Sequence, residues 1–402
     1  MSSDKRRVVV TGMGCISPVG HDVKTAWENL ISGKNGIGQI THFDASDYKT
    51  KVAAEVKDFN PRDYMERSDV LKSDRYTQFG IAAAAEAVDD SGILGKVEPE
   101  RFAVYLGSGI GGIKTHGDET QKFLERGARR VSPYFIPMMI PNMAAGMLAI
   151  RYDCQGPAMP AVTACASGSN AIGEALRLIR HGYADAAIAG GTEAPIVPIA
   201  VAGFCNMQAL APASDPDEAS LPFDARRQGF VIGEGAAILI LEEMEHAISR
   251  GAKIYGEVTG YGSTCDAYHI TAPRPDAKGG AAAMAQALAE SEYTDDDAVY
   301  VNAHGTGTPM NDKVETLAVK KSLGEDAARR AYISSTKSMT GHMLGAAGAI
   351  EAIVCLKALE TGIIPPTINL KASDPECDLN YVPNEAINAN ITLELSNSLG
   401  FG

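Results

Sequence analysis

Apolar and β-branched runs recur along the chain in an order that repeats once. RVVVTG (7–12), FAVYLGSG (102–109), MPAVTAC (159–165), DAAIAGG (185–191) and AAILILE (236–242) predict strands, because short continuous apolar runs closed by glycine or a polar residue fit strands buried on both faces. A second series follows: KIYGEVTGYG (253–262), AVYVNAHGTGT (298–308) and AYISSTKS (331–338), then NYVP and ITLELSNS. Helical periodicity lies between the strands. After Cys165, the residues Ile172, Ala175, Leu176 and Ile179 fall at i, i+3, i+4, i+7, with Gly182 as a stop; after ISSTKSMTGH, Ala349, Ala352, Ile353 and Leu356 repeat the spacing, with Gly362 as the stop. Two related α/β halves are therefore expected, 1–250 and 251–402, each with a parallel sheet whose helical crossovers return every strand to the same end. The boundary falls where HAISRG closes a helix, and APASDPDEASLPFDARRQGF (211–230) is expected to be a polar loop.

A chain of 402 residues agrees with one large unit or two fused ones. A net charge of −14 argues against a general nucleic-acid or anionic-membrane binder. Two local basic patches could meet an acidic partner: ERSDVLKSDR (66–75), with Arg67, Lys72 and Arg75, and ERGARRVSP (125–133), with Arg126, Arg129 and Arg130. Ordinary solvated faces would look the same. Seven scattered cysteines without a CxxC pair fit reduced thiols in the cytoplasm, and neither a signal-peptide core nor a membrane-length apolar run occurs.

GSGIGG (107–112) has the spacing of a dinucleotide loop, but the following IKTHGDETQKFLERG lacks the apolar helix that such a site needs. Those glycines fit close backbone approach instead. No phosphate-loop, HExxH or GxSxG pattern occurs, and the eight histidines show no metal-ligand spacing. What remains is Cys165, His304 and His342, each at or just after a strand end. Any one alone would be read as packing, since a lone cysteine is usually a small buried hydrophobe. Together they fall where sites collect in α/β folds, beyond the carboxyl ends of strands. Cys165 at a helix start is expected to be a thiolate near neutral pH, helix N–H groups can hold an oxyanion, and neutral imidazoles can donate to a carbonyl oxygen gaining charge.

The stretches VVVTGMGCISPVG, TACASGSNAIGEAL, VNAHGTGTPMND and SSTKSMTGHMLGAAGAIE resemble, in order and over residues 6–402, the decarboxylating β-ketoacyl-acyl-carrier-protein synthases, and among them the elongating type II enzymes of bacterial fatty-acid synthesis. The resemblance implies a thiolase-like fold, two pseudo-symmetric halves in a five-layer αβαβα arrangement, and a homodimer. It implies that Cys165 carries the acyl chain, that His304 and His342 support malonyl decarboxylation, and that Lys337, with Glu351, organises charge around His342. Phe401 would be a gate whose N–H joins that of Cys165 in an oxyanion hole. Thr271, Thr306 and Thr308 would bind the phosphopantetheine arm, although turn hydroxyls are common. Ile110 and Phe204 would line the acyl pocket, although apolar residues default to core. The Met-rich SPYFIPMMIPNMAAGML (132–148) would add to that wall or to the dimer interface. Acyl-carrier protein would dock near Arg67, Lys72, Arg129 and Arg130, and no metal or organic cofactor is implied. The family continues past GFG to a closing strand, so an edge strand beyond Gly402 is expected to be missing. Thiolases need a second cysteine that neither Cys355 nor Cys377 fits, starter-type synthases carry Asn where His342 stands, and non-catalytic chain-length factors lack the nucleophile.

Overall fold

Nine consecutive buried residues, Val8–Ile16, form the first strand of a computed structural model that describes residues 6–401. The larger sheet contains β1 (Val8–Ile16), β2 (Phe102–Gly107), β3 (Ala158–Ala161), β4 (Ala186–Glu193), β5 (Gly235–Glu243) and β6 (Gly256–Glu257), in the order β3-β2-β4-β5-β1-β6. The smaller sheet contains β7 (Val299–Asn302), β8 (Tyr332–Ser334) and β9 (Leu393–Ser396), in the order β8-β7-β9, with both pairings parallel.

Only part of the larger sheet is parallel, contrary to expectation. β2 runs parallel to β3 and β4, whereas β5 is antiparallel to β4 and β1, and β6 is antiparallel to β1. The cause is the connection between residues 194 and 234, which leaves and re-enters at the same end of the sheet and sends β5 back along β4. KIYGEVTGYG also departs from expectation: it yields only the two-residue β6, which joins the edge of the first half's sheet. Asn380 of NYVP makes a single bridge to Tyr332.

Six helices matter for the site: α1 (Arg75–Ser91), α2 (Ile113–Arg126), α3 (Ser167–Arg180), α4 (Lys278–Glu290), α5 (Asn311–Leu323) and α6 (Ala347–Thr361). Helix α1 covers the outer face of the larger sheet, where Phe79, Ala83 and Ala87 meet Ile188, Ile238 and Ile240. Helices α3 and α6 lie between the sheets, where Leu176, Ile179, Ile353 and Val354 pack with Leu239 and Tyr300. Helices α4 and α5 close the far side of the smaller sheet through Met284, Leu288, Val314 and Val319 against Val301. The layers read αβαβα. The predicted stripe on α3, Ile172, Ala175, Leu176 and Ile179, is wholly buried. Each such Ile or Leu contributes about 2 kcal/mol of apolar burial, which fixes the helix that carries Cys165 at its start.

Candidate active site

The two central helices begin alike. A single 3₁₀ turn, Ala164–Ala166, leads into α3, and another, Leu344–Ala346, leads into α6. The first residue of each turn is left-handed without being glycine, Ala164 at φ 49° and Leu344 at φ 45°. That conformation costs on the order of 1–3 kcal/mol and persists only where surrounding packing imposes it. The helix starts cross at van der Waals contact: a Cβ on Gly168 would lie 2.8 Å from the Gly345 carbonyl oxygen, and one on Gly348 would lie 2.1 Å from Ser169 Oγ. Only glycine fits at either place.

This crossing brings Cys165 Sγ together with ring nitrogens of His304 and His342, all within 4.8 Å of one another, and all three residues are buried. The imidazole planes stand at 85°, with centroids 5.2 Å apart. His304 is held through its backbone: its N–H and that of Gly305 donate to the carboxylate of Glu315 on α5, each at 2.7 Å. His342 is held by the segment after the long loop, donating its N–H to the Val231 carbonyl (2.7 Å) and accepting from Gly233 N–H (2.9 Å). Nδ1 of His304 and both ring nitrogens of His342 have no protein partner. Nitrogens so placed are free to meet a ligand.

Burial, reinforced by the positive charge of Lys337, holds both imidazoles well below the usual histidine range, and His342 adds to the effect on His304. They are neutral at physiological pH. Lys337 pairs with Glu351, both about 1% exposed, and burial lifts the Glu351 carboxyl against the pull of the lysine. The thiol departs from expectation. Burial pushes Cys165 up to about 12, with Lys337 opposing. The helix start alone had implied a thiolate, but burial of the sulfur in the apolar wall penalises the charged form.

The three residues open into a cavity of about 1480 Å³ that is also lined by Ile110, Phe204, Thr271, Thr306, Thr308 and Phe401. Ile110 and Phe204 are half-buried and pack in one apolar cluster with Cys165 and Phe230. Thr306 and Thr308 share a hydroxyl–hydroxyl bond of 3.0 Å, while Thr271 is exposed. Phe401 is 39% exposed, and its segment is tied to α3 by Ser398 Oγ to Ser169 Oγ (2.7 Å) and to α5 by Asn397 Nδ2 to Glu315 (3.2 Å).

The two basic patches lie outside this cavity but adjoin one another. Arg67, Lys72, Arg129 and Arg130 are exposed, and Lys72 Nζ stands 5.5 Å from the ring centroid of Tyr134, next to the second patch. Arg75 does not belong with them, because it turns inward to Glu234 (2.9 Å). In 132–148, Ala144, Ala145 and Leu148 enter the core beneath α1, whereas Ile136 is 54% exposed.

Phe230, Glu315 and Glu193 were not legible in the sequence. Phe230 ends a segment read as polar loop, yet its ring lies 5.1 Å from His342 and 5.5 Å from Phe204, joining the apolar wall to the histidines. The carboxylates could have been found only by asking which acidic residues stand beside the strand ends that bear the site.

Two related α/β halves that bring a thiol and one neutral imidazole at facing helix starts together with a second imidazole just past a strand end define a condensing enzyme of the thiolase fold. The comparisons narrow the class. The model of the β-ketoacyl synthase N-terminal domain matches residues 5–247, and that of the C-terminal domain matches 255–371. The chain is 50% identical over 401 residues to 3-oxoacyl-(acyl-carrier-protein) synthase 2 of Synechocystis sp., covering 99% of this chain and 96% of that one. It is 49% identical to the protein of that name from Staphylococcus aureus (strain COL), covering 100% and 97%. Among solved structures, a ketosynthase in complex with its type II polyketide acyl-carrier protein superposes with a TM-score of 0.92 at 34% identity, covering 99% and 97%. A β-ketoacyl synthase from Burkholderia phymatum superposes at 0.91 and 34%, with the same coverage. The chain belongs to the β-ketoacyl synthase family.

Proposed function

We propose that this enzyme condenses acyl-acyl-carrier protein with malonyl-acyl-carrier protein in type II fatty-acid elongation, releasing 3-oxoacyl-acyl-carrier protein, CO₂ and free carrier. The observation that carries the mechanism is the meeting of Cys165 Sγ with two neutral imidazoles whose ring nitrogens are unpartnered.

Cys165 loses its proton to a neighbouring imidazole as the acyl thioester arrives. Sγ attacks the carbonyl, the carrier leaves as thiolate and takes up that proton, and the acyl chain remains on Cys165 as a thioester. The N–H groups of Cys165 and Phe401 stabilise the tetrahedral oxyanion. Malonyl-carrier protein then enters with its arm along Thr271, Thr306 and Thr308. Cleavage of its carboxylate bond leaves the electron pair on the α-carbon as an enolate, whose oxygen accepts hydrogen bonds from neutral His304 and His342. The carbanion attacks the acyl carbonyl, and collapse expels the Cys165 thiolate, which takes up one proton from solvent to return to the resting thiol. Lys337, paired with Glu351, keeps both histidines neutral and able to donate. The acyl tail lies along Ile110 and Phe204.

Residues 1–250 supply the nucleophile and 251–402 the histidines. Carrier protein, an acidic partner, docks at Arg67, Lys72, Arg129 and Arg130. No metal or organic cofactor takes part, so turnover should survive dialysis against EDTA. Among the described residues no helix is long and apolar enough to cross a membrane. Scattered cysteines without a CxxC pair support placing the enzyme in the cytoplasm. It acts as a homodimer through β3, an edge strand of its sheet that carries exposed Met159 (51%) and is followed by exposed Val162 (52%). Sedimentation equilibrium returning the mass of one chain would refute the dimer.

Mass spectrometry after incubation with acyl-carrier-protein thioester tests the mechanism. The acyl mass should appear on Cys165, and Cys165→Ala should abolish condensation while sparing malonyl decarboxylation. An unmodified wild-type thiol would sink the proposal.

A further inference from the structure

β4 ends on Glu193, a carboxylate with no solvent exposure between the two halves of the molecule. It accepts four hydrogen bonds. Oε1 takes Ser108 Oγ–H (2.9 Å) and Ile110 N–H (3.1 Å); Oε2 takes Gly109 N–H (2.6 Å) and Gly345 N–H (2.9 Å). Ser108 Oγ in turn accepts Gly111 N–H at 3.0 Å. Every N–H from Gly109 to Gly111 thus ends, directly or through one hydroxyl, on this side chain. The GSGIGG loop has its donors occupied by a carboxylate of the protein itself, which is why it cradles no phosphate.

Burial raises the Glu193 carboxyl above the usual carboxylate range, and its four donors pull it back. Four donors on two oxygens leave no acceptor for a carboxylic proton, and that geometry favours the carboxylate. The fit admits no slack: a Cβ on Gly345 would lie 2.6 Å from Gly109 N and 2.7 Å from Glu193 Oε2. The donors come from both sides of the site. Ser108, Gly109 and Ile110 belong to the loop bearing the pocket residue Ile110, while Gly345 belongs to the turn that follows His342 and opens α6. In that turn Gly345 holds the place that Cys165 holds at the head of α3.

We infer that Glu193 is a positioning residue for condensation. It fixes the backbone of the Ile110 loop and, through Gly345, sets that loop in register with the His342 turn, so that an incoming acyl tail displaces only the Ile110 side chain. Without the clamp, a tail long enough to press on Ile110 would move the loop itself and disturb the turn beside His342. Acylation of Cys165 comes before His342 is needed for the enolate, so the loss should fall on the condensation step and should grow with chain length. This inference rests on the condensing function proposed above.

The test uses full-length enzyme with Glu193→Gln, which keeps size but turns an amide NH₂ toward N–H donors, and Glu193→Asp, which keeps the charge but shortens the reach. Acyl-Cys165 formation and malonyl-dependent turnover are measured with acetyl- and dodecanoyl-carrier protein. Loss of hydrogen bonds to a charged group predicts roughly a tenfold or greater fall in turnover with the dodecanoyl chain. Formation of the dodecanoyl-enzyme and turnover with the acetyl chain should stay within about threefold, less than one such bond is worth. Glu193→Asp should give the same pattern in milder form, which keeps the test alive if Glu193→Gln does not fold. Adding Ile110→Ala should restore dodecanoyl turnover, since no branched side chain remains for the tail to press on. Equal losses at both chain lengths, or a loss that Ile110→Ala leaves in place, would reduce Glu193 to a structural carboxylate and overturn the inference. If wild-type Cys165 takes no acyl group in the same experiment, the proposed function fails instead.

Discussion

Cys165 stands between two opposing influences, a helix start and a lysine that favour thiolate and burial in an apolar wall that favours thiol, and burial prevails. His304 and His342 share the same burial and feel Lys337 as a repelling charge, so their neutral form persists well below pH 6.5. The decarboxylation rate should therefore be level from about pH 6.5 to 8 and fall only on the acid side, as the imidazoles gain protons. Lys337→Met removes one cause of the lowered values, so the acid limb should move to higher pH; an unmoved limb would separate Lys337 from the histidines. The same change strands Glu351 and should cost about 3–5 kcal/mol of stability. Glu351→Leu in that background should recover much of the stability without restoring the pH profile. Cys165, His304 and His342 could be picked out because each falls at or just after the end of an apolar run that predicts a strand, and the structure brings the three together. Glu193 was not, because a carboxylate that closes an apolar strand reads as the solvent-facing end of that strand, and only the crossing of the two halves makes it an internal ion.

The elements were legible where burial is continuous. β1, β2, β4 and β5 and the stripes of α3 and α6 follow from apolar runs and from the 3.6 period. Strand direction was not, because it depends on which end of the sheet a connection returns to, and the segment between residues 194 and 234 carries no pattern that says so. The contact between α3 and α6 was equally hidden, although it locates the thiol beside the second histidine. Gly348→Ala places a methyl 2.1 Å from Ser169 Oγ and 3.0 Å from Ser169 N, forcing the helix starts apart. A loss of about 1–3 kcal/mol and slower acylation of Cys165 are expected. Gly117→Ala on α2, where nothing lies within 4 Å, is the control and should stabilise by about 0.5–1 kcal/mol. Equal shifts in Tm for the two variants would deny the close crossing any special role.

For the whole molecule, with a charge of −14, exposed Arg67, Lys72, Arg129 and Arg130 are local basic groups on an acidic body, with Lys72 beside Tyr134 near the second pair. On the docking proposed above, an acidic carrier protein would be steered toward these groups. Arg129→Glu with Arg130→Glu should raise KM for carrier-bound substrate severalfold with little change in kcat, and added salt should shrink the difference between variant and wild type. An unchanged KM would return these arginines to ordinary surface. The burial of Cys165 carries one further consequence, for oxidative stress. Peroxide attacks thiolate, so a nucleophile kept as thiol until substrate arrives is passed over by the oxidant. At neutral pH the empty enzyme should take up little sulfenic-acid probe at Cys165, and the acyl-loaded enzyme none, since its sulfur is already esterified. Damage is then confined to the brief interval of turnover in which the sulfur is both bare and charged.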